Sequence, residues 1–457
     1  MTQKNLWDNT DLNVQAMDSL CEDYKAFLSA CKTERECAAS MKEGLQAAGC
    51  LELSDVISGH IRLKPGDLVC TDMMKKALLA FRIGKRPITD GMRILGAHID
   101  SPRLDLKQHP LYEDNGLAFL DTHYYGGIKK YQWVTLPLAL HGVVAKKDGA
   151  VVPVCIGEKA SDPVLGVSDL LPHLAGKQME KKAREAVEGE NLNILAGSRP
   201  LEDTEKDAVK ARLLSILKEH YAIEEEDFIS AELEAVPAGA ARDYGLDRSM
   251  VMAYGQDDRV CAYTSYRALL DAEAPEYTSV CLLTDKEEIG SVGATGMQSR
   301  FFEDTVAEVM EALGCYSEIS LRRTLKKTKV LSSDVSAAFD PNYPDVMDKN
   351  NCAYLGSGPV FNKYTGARGK SGSNDANAEY LAWLRNILDR AGITYQTAEL
   401  GKVDAGGGGT IAYMLANLGM EVIDFGVAVL NMHAPWEITS KADIYETYRA
   451  YQAFLLG

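Results

Sequence analysis

No stretch of this chain approaches the roughly 18 consecutive apolar residues that a membrane span needs. The opening segment, MTQKNLWDNTDLNVQAMDSL, has neither a basic start nor an apolar core. A secretory leader, a transmembrane helix and a membrane partner are therefore not expected. Cysteine pairs are missing too. The ten cysteines are scattered from Cys21 to Cys352 and none forms a Cys-x-x-Cys. That argues against a cysteine zinc site and reads as reduced, mostly buried thiols in a cytoplasmic protein. An excess of positive charge is also lacking. The formal net charge of −17 argues against a nucleic-acid binder, because phosphate contacts require clustered Lys and Arg. It also speaks against an anionic membrane surface. Tandem repeats and low-complexity segments are absent.

What is there is globular. At 46% apolar and 25% charged residues, the chain can bury a sizeable core. Its 457 residues exceed the size at which one core stops growing. Two domains, or one domain with an insertion, are expected.

Residues 12–47 carry charges at helical spacing, and DLVCTD and RILGAHID are short β-like runs. Between 106 and 245 the texture changes to β-branched and aromatic residues with Gly turns, predicting several antiparallel strands. KKDGAV is a hairpin signal. A charged helix is expected in GKQMEKKAREAVEGE, a strand in NLNILAG and a helix near 203–220. From about 250, helices at 258–272, 302–313 and 375–390 alternate with strands at 279–285, 329–333, TYQTAEL and EVIDFGVAV. GTIAYMLANLG reads as a short helix, and a last helix opens at TSKADIYETYRAYQAFLL, where Ser440 and Asp443 have capping-box spacing. The predicted fold class is α/β, with a mostly parallel central sheet covered by helices on both faces. Residues 1–105 plus 246–457 would form that domain, interrupted by a β-rich insertion at 106–245.

Potential metal ligands gather where apolar runs end. RILGAHIDSPRLDLK gives His98 and Asp100, and MVMAYGQDDRVCAYTS gives Asp257 and Asp258 just before a helix. LLTDKEEIGSVGATG gives Glu287 and Glu288, KVLSSDVSAAFDPNY gives Asp334, and DFGVAVLNMHAPWEITS gives His433. In an open α/β sheet, ligands bind beyond the carboxyl ends of the strands. Imidazoles and carboxylates without thiolate suit Zn²⁺, Mn²⁺ or Co²⁺. More candidates converge than one catalytic zinc requires, which favours two ions bridged by a carboxylate. Taken singly, Asp334 equally reads as a turn residue and His433 as a satisfied polar residue. Asp258 is read as the N-cap of the helix beginning near Arg259.

The ordered set GAHIDSPRLDLK, DDR at 257–259, DKEEIGSVGATG, SSDVSAAFDPNY and NMH resembles the aspartyl aminopeptidase and vacuolar aminopeptidase I family of zinc aminopeptidases. The resemblance runs over nearly the whole chain. It implies that Asp257 bridges two metals, that His98 and Asp334 complete one shell, and that Glu288 and His433 complete the other. It makes Glu287 the general base and Asp100 the carboxylate that orients His98. It also implies that the β-rich insertion is an oligomerisation domain, with dimers building a tetrahedral dodecamer. LLPHLAG followed by NLNILAG resembles a segment whose histidine, here His173, reaches a neighbouring subunit's active site and stabilises the transition state. A surface histidine beside Pro172 is the other reading. Two departures stand out. YYGGIKKYQWVTLPLALHG lacks the Asp-Arg-Asp segment of aspartyl enzymes, and DAGGGGTIAYML carries more glycine than they do. Both leave the preferred N-terminal residue open, acidic or neutral.

GGGGT lacks the Gly-Lys-Ser/Thr ending of a P-loop and the context of a dinucleotide fingerprint. It is read instead as a loop opening a helix, with Gly407, Gly408, Gly409 and Thr410 lining a substrate pocket. VFNKYTGARGKSGSN is a second such loop, where Lys363 or Asn362 would meet a substrate carboxylate or carbonyl, or Lys363 would be a solvated lysine. The function expected is that of a metallo-aminopeptidase acting on peptides, with Zn the expected metal. A dinuclear deacylase of N-acyl amino acids and an inactive scaffold of the same fold are the alternatives.

Overall fold

The computed structural model describes residues 5–457. The first four residues of the range expected to start the catalytic domain lie outside the described residues. The chain divides into two compact units. One comprises residues up to Asp100, Ala241–Met432 and Glu437–Gly457; the other comprises Ser101–Ala240 and His433–Trp436. Each boundary of the long insertion falls five residues earlier than the change of texture at 106–245. The strand Arg103–Asp114 runs unbroken through residue 106, so composition marks the middle of that strand rather than its start.

The first unit is built on a nine-stranded sheet. Its order is Leu51–Glu52, Leu68–Met73, Ala77–Arg82, Thr278–Thr284, Met92–His98, Lys329–Ser332, Glu421–Gly426, Val360–Asn362, Gln396–Thr397. The four strands from Thr278–Thr284 to Glu421–Gly426 are mutually parallel, and antiparallel pairs flank them. Side chains alternate across this centre as a strand's period of two demands. Cys281, Leu283, Leu95 and Leu331 enter one core; Val280, Leu282, Ile94 and Val330 enter another. Helices Val14–Ala30, Glu34–Ala47, Gln256–Asp271, Ala378–Arg390 and Lys441–Leu456 cover the first core. Phe301–Ala312, Glu318–Lys327 and Ala412–Asn417 cover the second. Runs that read as near-continuous apolar sequence are thus buried on both faces. A five-stranded sheet, Arg242–Tyr244, Met250–Ala253, Glu437–Ser440, Ala428–Leu430 and Ser336–Ala337, completes this unit.

The second unit holds a six-stranded sheet, in the order Val151–Ile156, Leu138–Ala145, Ala231–Pro237, Arg103–Asp114, Leu117–Tyr125, Ile194–Gly197, all pairs antiparallel. The KKDG hairpin joins the first two, with Gly149 at φ +91°.

One local expectation holds in two pieces, and two fail. Residues 12–47 form two helices, broken before Thr33, whose hydroxyl and Glu36 make a capping box. The charged segment GKQMEKKAREAVEGE forms only single turns at Gly176–Met179 and Ala183–Ala186. Met179, its largest apolar side chain, stays exposed, and short isolated helices are marginal without tertiary packing. Ser440 makes no side-chain cap. The Asp443 carboxylate instead accepts the N–H groups of Gly356 and Gly358, both at 2.7 Å. Among the described residues all ten cysteines are free, and no helix is long and apolar enough to cross a membrane.

Candidate metal centre

The strands Met92–His98 and Thr278–Thr284 end in register, Thr284 beside His98. Ile99 keeps the pair together beyond the sheet, its N–H donating to Thr284 O at 2.9 Å. The strand Lys329–Ser332 ends on the other side of Met92–His98. There Ser333 N–H donates to Gly96 O at 2.6 Å, and Asp334 follows. Three segments with candidate ligands therefore leave the sheet at one rim.

The fourth contributor is the entry to helix Gln256–Asp271. Gly255 takes φ +72°, and Asp257 and Asp258 keep non-helical backbone angles, with a cis peptide between them. The Asp257 N–H donates to Glu437 Oε2 at 3.0 Å. Gln256 Nε2 donates to Glu437 O at 2.7 Å and Val251 O at 3.1 Å. Glu437 is buried and sits opposite Ala253 in the smaller sheet. Sequence reasoning missed it, although it lies four residues after His433 in a segment already singled out.

Asp258 is a correction. Its Oδ2 accepts the backbone N–H of His98 at 3.3 Å, and its Oδ1 is buried without a hydrogen-bond partner. The helix entry at Gly255 has no side-chain cap, and the Asp258 carboxylate is taken up by the His98 N–H and the Cys261 thiol instead.

Two sets of three donors result, each with one atom per residue within 4.8 Å of the others: His98, Asp257 and Glu288, and His98, Asp258 and Asp334. His98 Nε2 lies 3.3 Å from Asp257 Oδ1 and 3.9 Å from Glu287 Oε2. Its Nδ1 lies 3.0 Å from the Asp100 carbonyl oxygen and 3.3 Å from Asp100 Oδ1. Asp100 is fully buried and also receives the N–H groups of Glu287 at 3.1 Å and Glu288 at 3.2 Å. Those two glutamates stand on a single turn, Glu287–Ile289, entered through Lys286 at φ +67°.

The donor set fits a divalent cation. Burial alone would lower the His98 pKa, yet hydrogen bonds to Asp100 and Asp257 raise it well above the ordinary value. Loss of hydration, followed by the charge of Asp334, pushes Asp258 well above the usual carboxylate range. Loss of hydration, followed by the charge of Glu287, does the same to Asp334. Carboxylates crowded together out of water repel one another, and a bound cation removes that cost. A nitrogen donor among oxygens, with no thiolate, suits zinc and its first-row neighbours.

The remaining expected site residues are elsewhere. His433 groups with the second unit, where its Nδ1 donates to Gly127 O at 2.9 Å; it belongs to neither donor set. His173 is exposed, on a turn of the second unit. Lys363 is engaged by Asp375, Nζ to Oδ1 2.6 Å, and Asn362 is buried with its amide donating to Ala398 O at 3.1 Å. Thr410 turns its hydroxyl inward to Asp424 Oδ1 at 2.7 Å. Of these last three, only Asn362 is enclosed; the Lys363 ion pair is exposed and Thr410 is half-buried. Gly407 and Gly408 pack against the second candidate loop. Gly408 N–H donates to Thr365 O at 3.0 Å, and a Cβ on Gly407, at φ +120°, would come within 2.6 Å of Ala367 Cα.

Comparison with known proteins places the chain in a family. Residues 27–455 match the aminopeptidase I zinc metalloproteases, peptidase M18. A probable M18 family aminopeptidase 1 of Clostridium acetobutylicum is 62% identical over 99% of this chain and 98% of its own length. A crystal structure of aminopeptidase I from that organism superposes with TM-score 0.92 at 60% identity, covering 99% of both chains. A crystal structure of the M18 aminopeptidase of Thermotoga maritima gives TM-score 0.95 at 46% identity, covering 100% of this chain and 99% of that one. The S. cerevisiae mApe1 dodecamer, 20% identical with TM-score 0.77 over 96% of this chain and 97% of that one, shares the fold. The chain belongs to the M18 family and is a zinc-family metallo-aminopeptidase.

Proposed function

We propose that this aminopeptidase works through a dinuclear metal site, most simply two zinc ions with Co or Mn as substitutes. His98, Asp257, Asp334, Glu288 and His433 are the residues that would hold them. The observation that carries the reading is the His98–Asp257–Glu288 donor set, with Glu287 on the same turn as Glu288. When bound, such ions polarise a peptide carbonyl and bring the pKa of a water molecule toward neutrality.

The chain's own residues do the rest. Asp100 holds His98 through Nδ1, so Nε2 faces the carboxylates with its lone pair. Glu437 holds the backbone of Asp257. Glu287 is the general base, taking a proton from water and returning it to the leaving amine. For His433, the hydrogen bond to Gly127 O puts the proton on Nδ1, so Nε2 is the nitrogen that would hold metal. The Gly407–Gly409 backbone lines the substrate path, and Lys363 is a weaker substrate contact because Asp375 already holds it.

The second unit is proposed as the oligomerisation domain of a homo-oligomer, with dimers building a tetrahedral dodecamer. Exposed Leu170, Leu171, Leu174 and Met179 around His173 support an interface there. His173 then acts in a neighbouring subunit, stabilising the oxyanion. A cytoplasmic location agrees with ten free thiols, most of them buried.

The test is a panel of amino-acyl anilides and N-acylated counterparts, assayed with and without chelator and with reconstitution by Zn, Co or Mn. Hydrolysis of free N-termini only, abolished by chelator and restored by metal, is expected. Preference for blocked N-termini would favour the deacylase. No turnover by fully metallated protein would favour the scaffold.

A further inference from the structure

The central strand Glu421–Gly426 holds three parts of the site that are distant in sequence. At its far end, Gly426 allows the backbone of Asp334 to press against it. A Cβ there would lie 2.0 Å from Asp334 O. At Val422, the carbonyl accepts Asn374 Nδ2 at 2.6 Å, fastening the end of the loop VFNKYTGARGKSGSN. Between them stands Asp424, 2% exposed. It faces Ser332 on one neighbouring strand and Asn362 on the other. Its Oδ1 receives the Thr410 hydroxyl at 2.7 Å.

Thr410 is fully used by this arrangement. Its oxygen also accepts the N–H of Ala412 at 3.3 Å, where helix Ala412–Asn417 begins. The hydroxyl thus ties the helix entry to the sheet, and Gly406–Gly409 are the residues immediately before the tie. These glycines have few bonds of their own. Gly406 N–H reaches Lys402 O at 3.2 Å and Gly408 N–H reaches Thr365 O at 3.0 Å. A glycine-rich segment has large conformational freedom, so its placement must come from what brackets it.

We propose that Asp424 is a positioning residue: through Thr410 it fixes the glycine-rich loop Gly406–Gly409 relative to Asp334, and so sets the affinity for the peptide rather than the rate of the chemical step. This rests on the reading of Gly407–Gly409 as the substrate path. Hydrogen bonds to a buried carboxylate are among the stronger ones, and removing the donor leaves a buried acceptor without it. The Ala412 N–H would then lose this acceptor as well.

The variants are T410V, which keeps the shape and loses the hydroxyl, T410S, which restores it, and D424N, which keeps an acceptor but not its charge. For T410V, amide hydrogen exchange in Gly406–Ile411 is expected to quicken by about tenfold. KM for an amino-acyl anilide is expected to rise by a similar factor, with kcat and bound metal within about twofold of wild type. T410S should sit near wild type and D424N between the two. Unchanged exchange in T410V would overturn the anchor. Faster exchange with an unchanged KM, or a loss of kcat, metal and melting temperature together, would overturn its role in substrate affinity. If the wild-type enzyme hydrolysed none of the panel, the functional reading and the affinity claim would fall together, and exchange would still judge the anchor.

Discussion

Asp100 Oδ2 accepts the backbone N–H of Glu288 at 3.2 Å. The other oxygen of the same carboxylate accepts Glu287 N–H at 3.1 Å and lies 3.3 Å from His98 Nδ1. One buried group therefore fixes both the imidazole and the turn that carries the two glutamates. The turn's backbone is fixed by that carboxylate rather than by a continuing strand, and the added negative charge increases a crowding that a bound cation would relieve.

Asp100→Asn should separate these duties. An amide has one accepting oxygen, so it cannot receive both N–H groups and hold His98 as well. Metal affinity is expected to fall about 10–100-fold, the usual effect of losing a carboxylate that orients a ligating histidine. Competition with a chromogenic chelator measures it. Wild-type affinity in this variant would reduce Asp100 to a packing residue.

The two glutamates should part company under amidation. Glu287→Gln is expected to retain metal while kcat on amino-acyl anilides drops by about 10²–10⁴. Glu288→Gln is expected to lose metal first. Elemental analysis beside steady-state kinetics distinguishes them. Metal loss in the Glu287 variant with metal retained in the Glu288 variant would reverse the assignment.

The central strands and the rim they share were readable because apolar runs ended in ligand-type residues, and strand ends are where open sheets bind. Other features were settled by contacts that no local pattern encodes. Asp258 looked like a helix cap, as an Asp before a helix usually is, but the N–H of His98, 160 residues away, holds its carboxylate. Ser440 and Asp443 had the right spacing for a capping box, and the N–H groups of Gly356 and Gly358 took Asp443 instead. The strand Ala77–Arg82 went unrecognised because ALLAFR alternates nothing; it is buried almost throughout. Thr410 reads as lining a substrate pocket with Gly407–Gly409, and its hydrogen bond to Asp424 is one more contact that no local pattern encodes.

Gly426→Ala tests whether the approach of strand and ligand matters. A methyl group there would overlap Asp334 O and meet Cys261 Sγ at 2.9 Å. The obstacle is backbone, so relief requires moving Asp334 itself. A stability loss of about 1–3 kcal/mol is expected for such overpacking, together with weaker metal binding. Denaturant unfolding of the chelated protein isolates the first effect, and metal titration at low temperature the second. Lost stability with full metal affinity would show that Asp334 is not a ligand held by this contact.

Asp243 contributes to the acid limb of stability. Burial would raise its pKa, but Lys25 and Lys441 hold it at about 2, with Lys441 Nζ 2.9 Å from Oδ1. The carboxylate thereby joins helix Val14–Ala30 to helix Lys441–Leu456. A folded pKa below the unfolded value of about 3.9 means the unfolded chain binds more protons between the two. The stabilisation is therefore complete above about pH 4 and is lost as pH falls toward 2. Allowing for solvent screening, it amounts to about 1–2 kcal/mol. Asp243→Asn should be less stable than wild type by that amount at pH 7, and the gap should shrink to about half near pH 3. Urea unfolding at a series of pH values reads it directly. A gap independent of pH would assign the loss to packing, whereas a gap that closes on acidification assigns it to the charge shared by the two terminal helices.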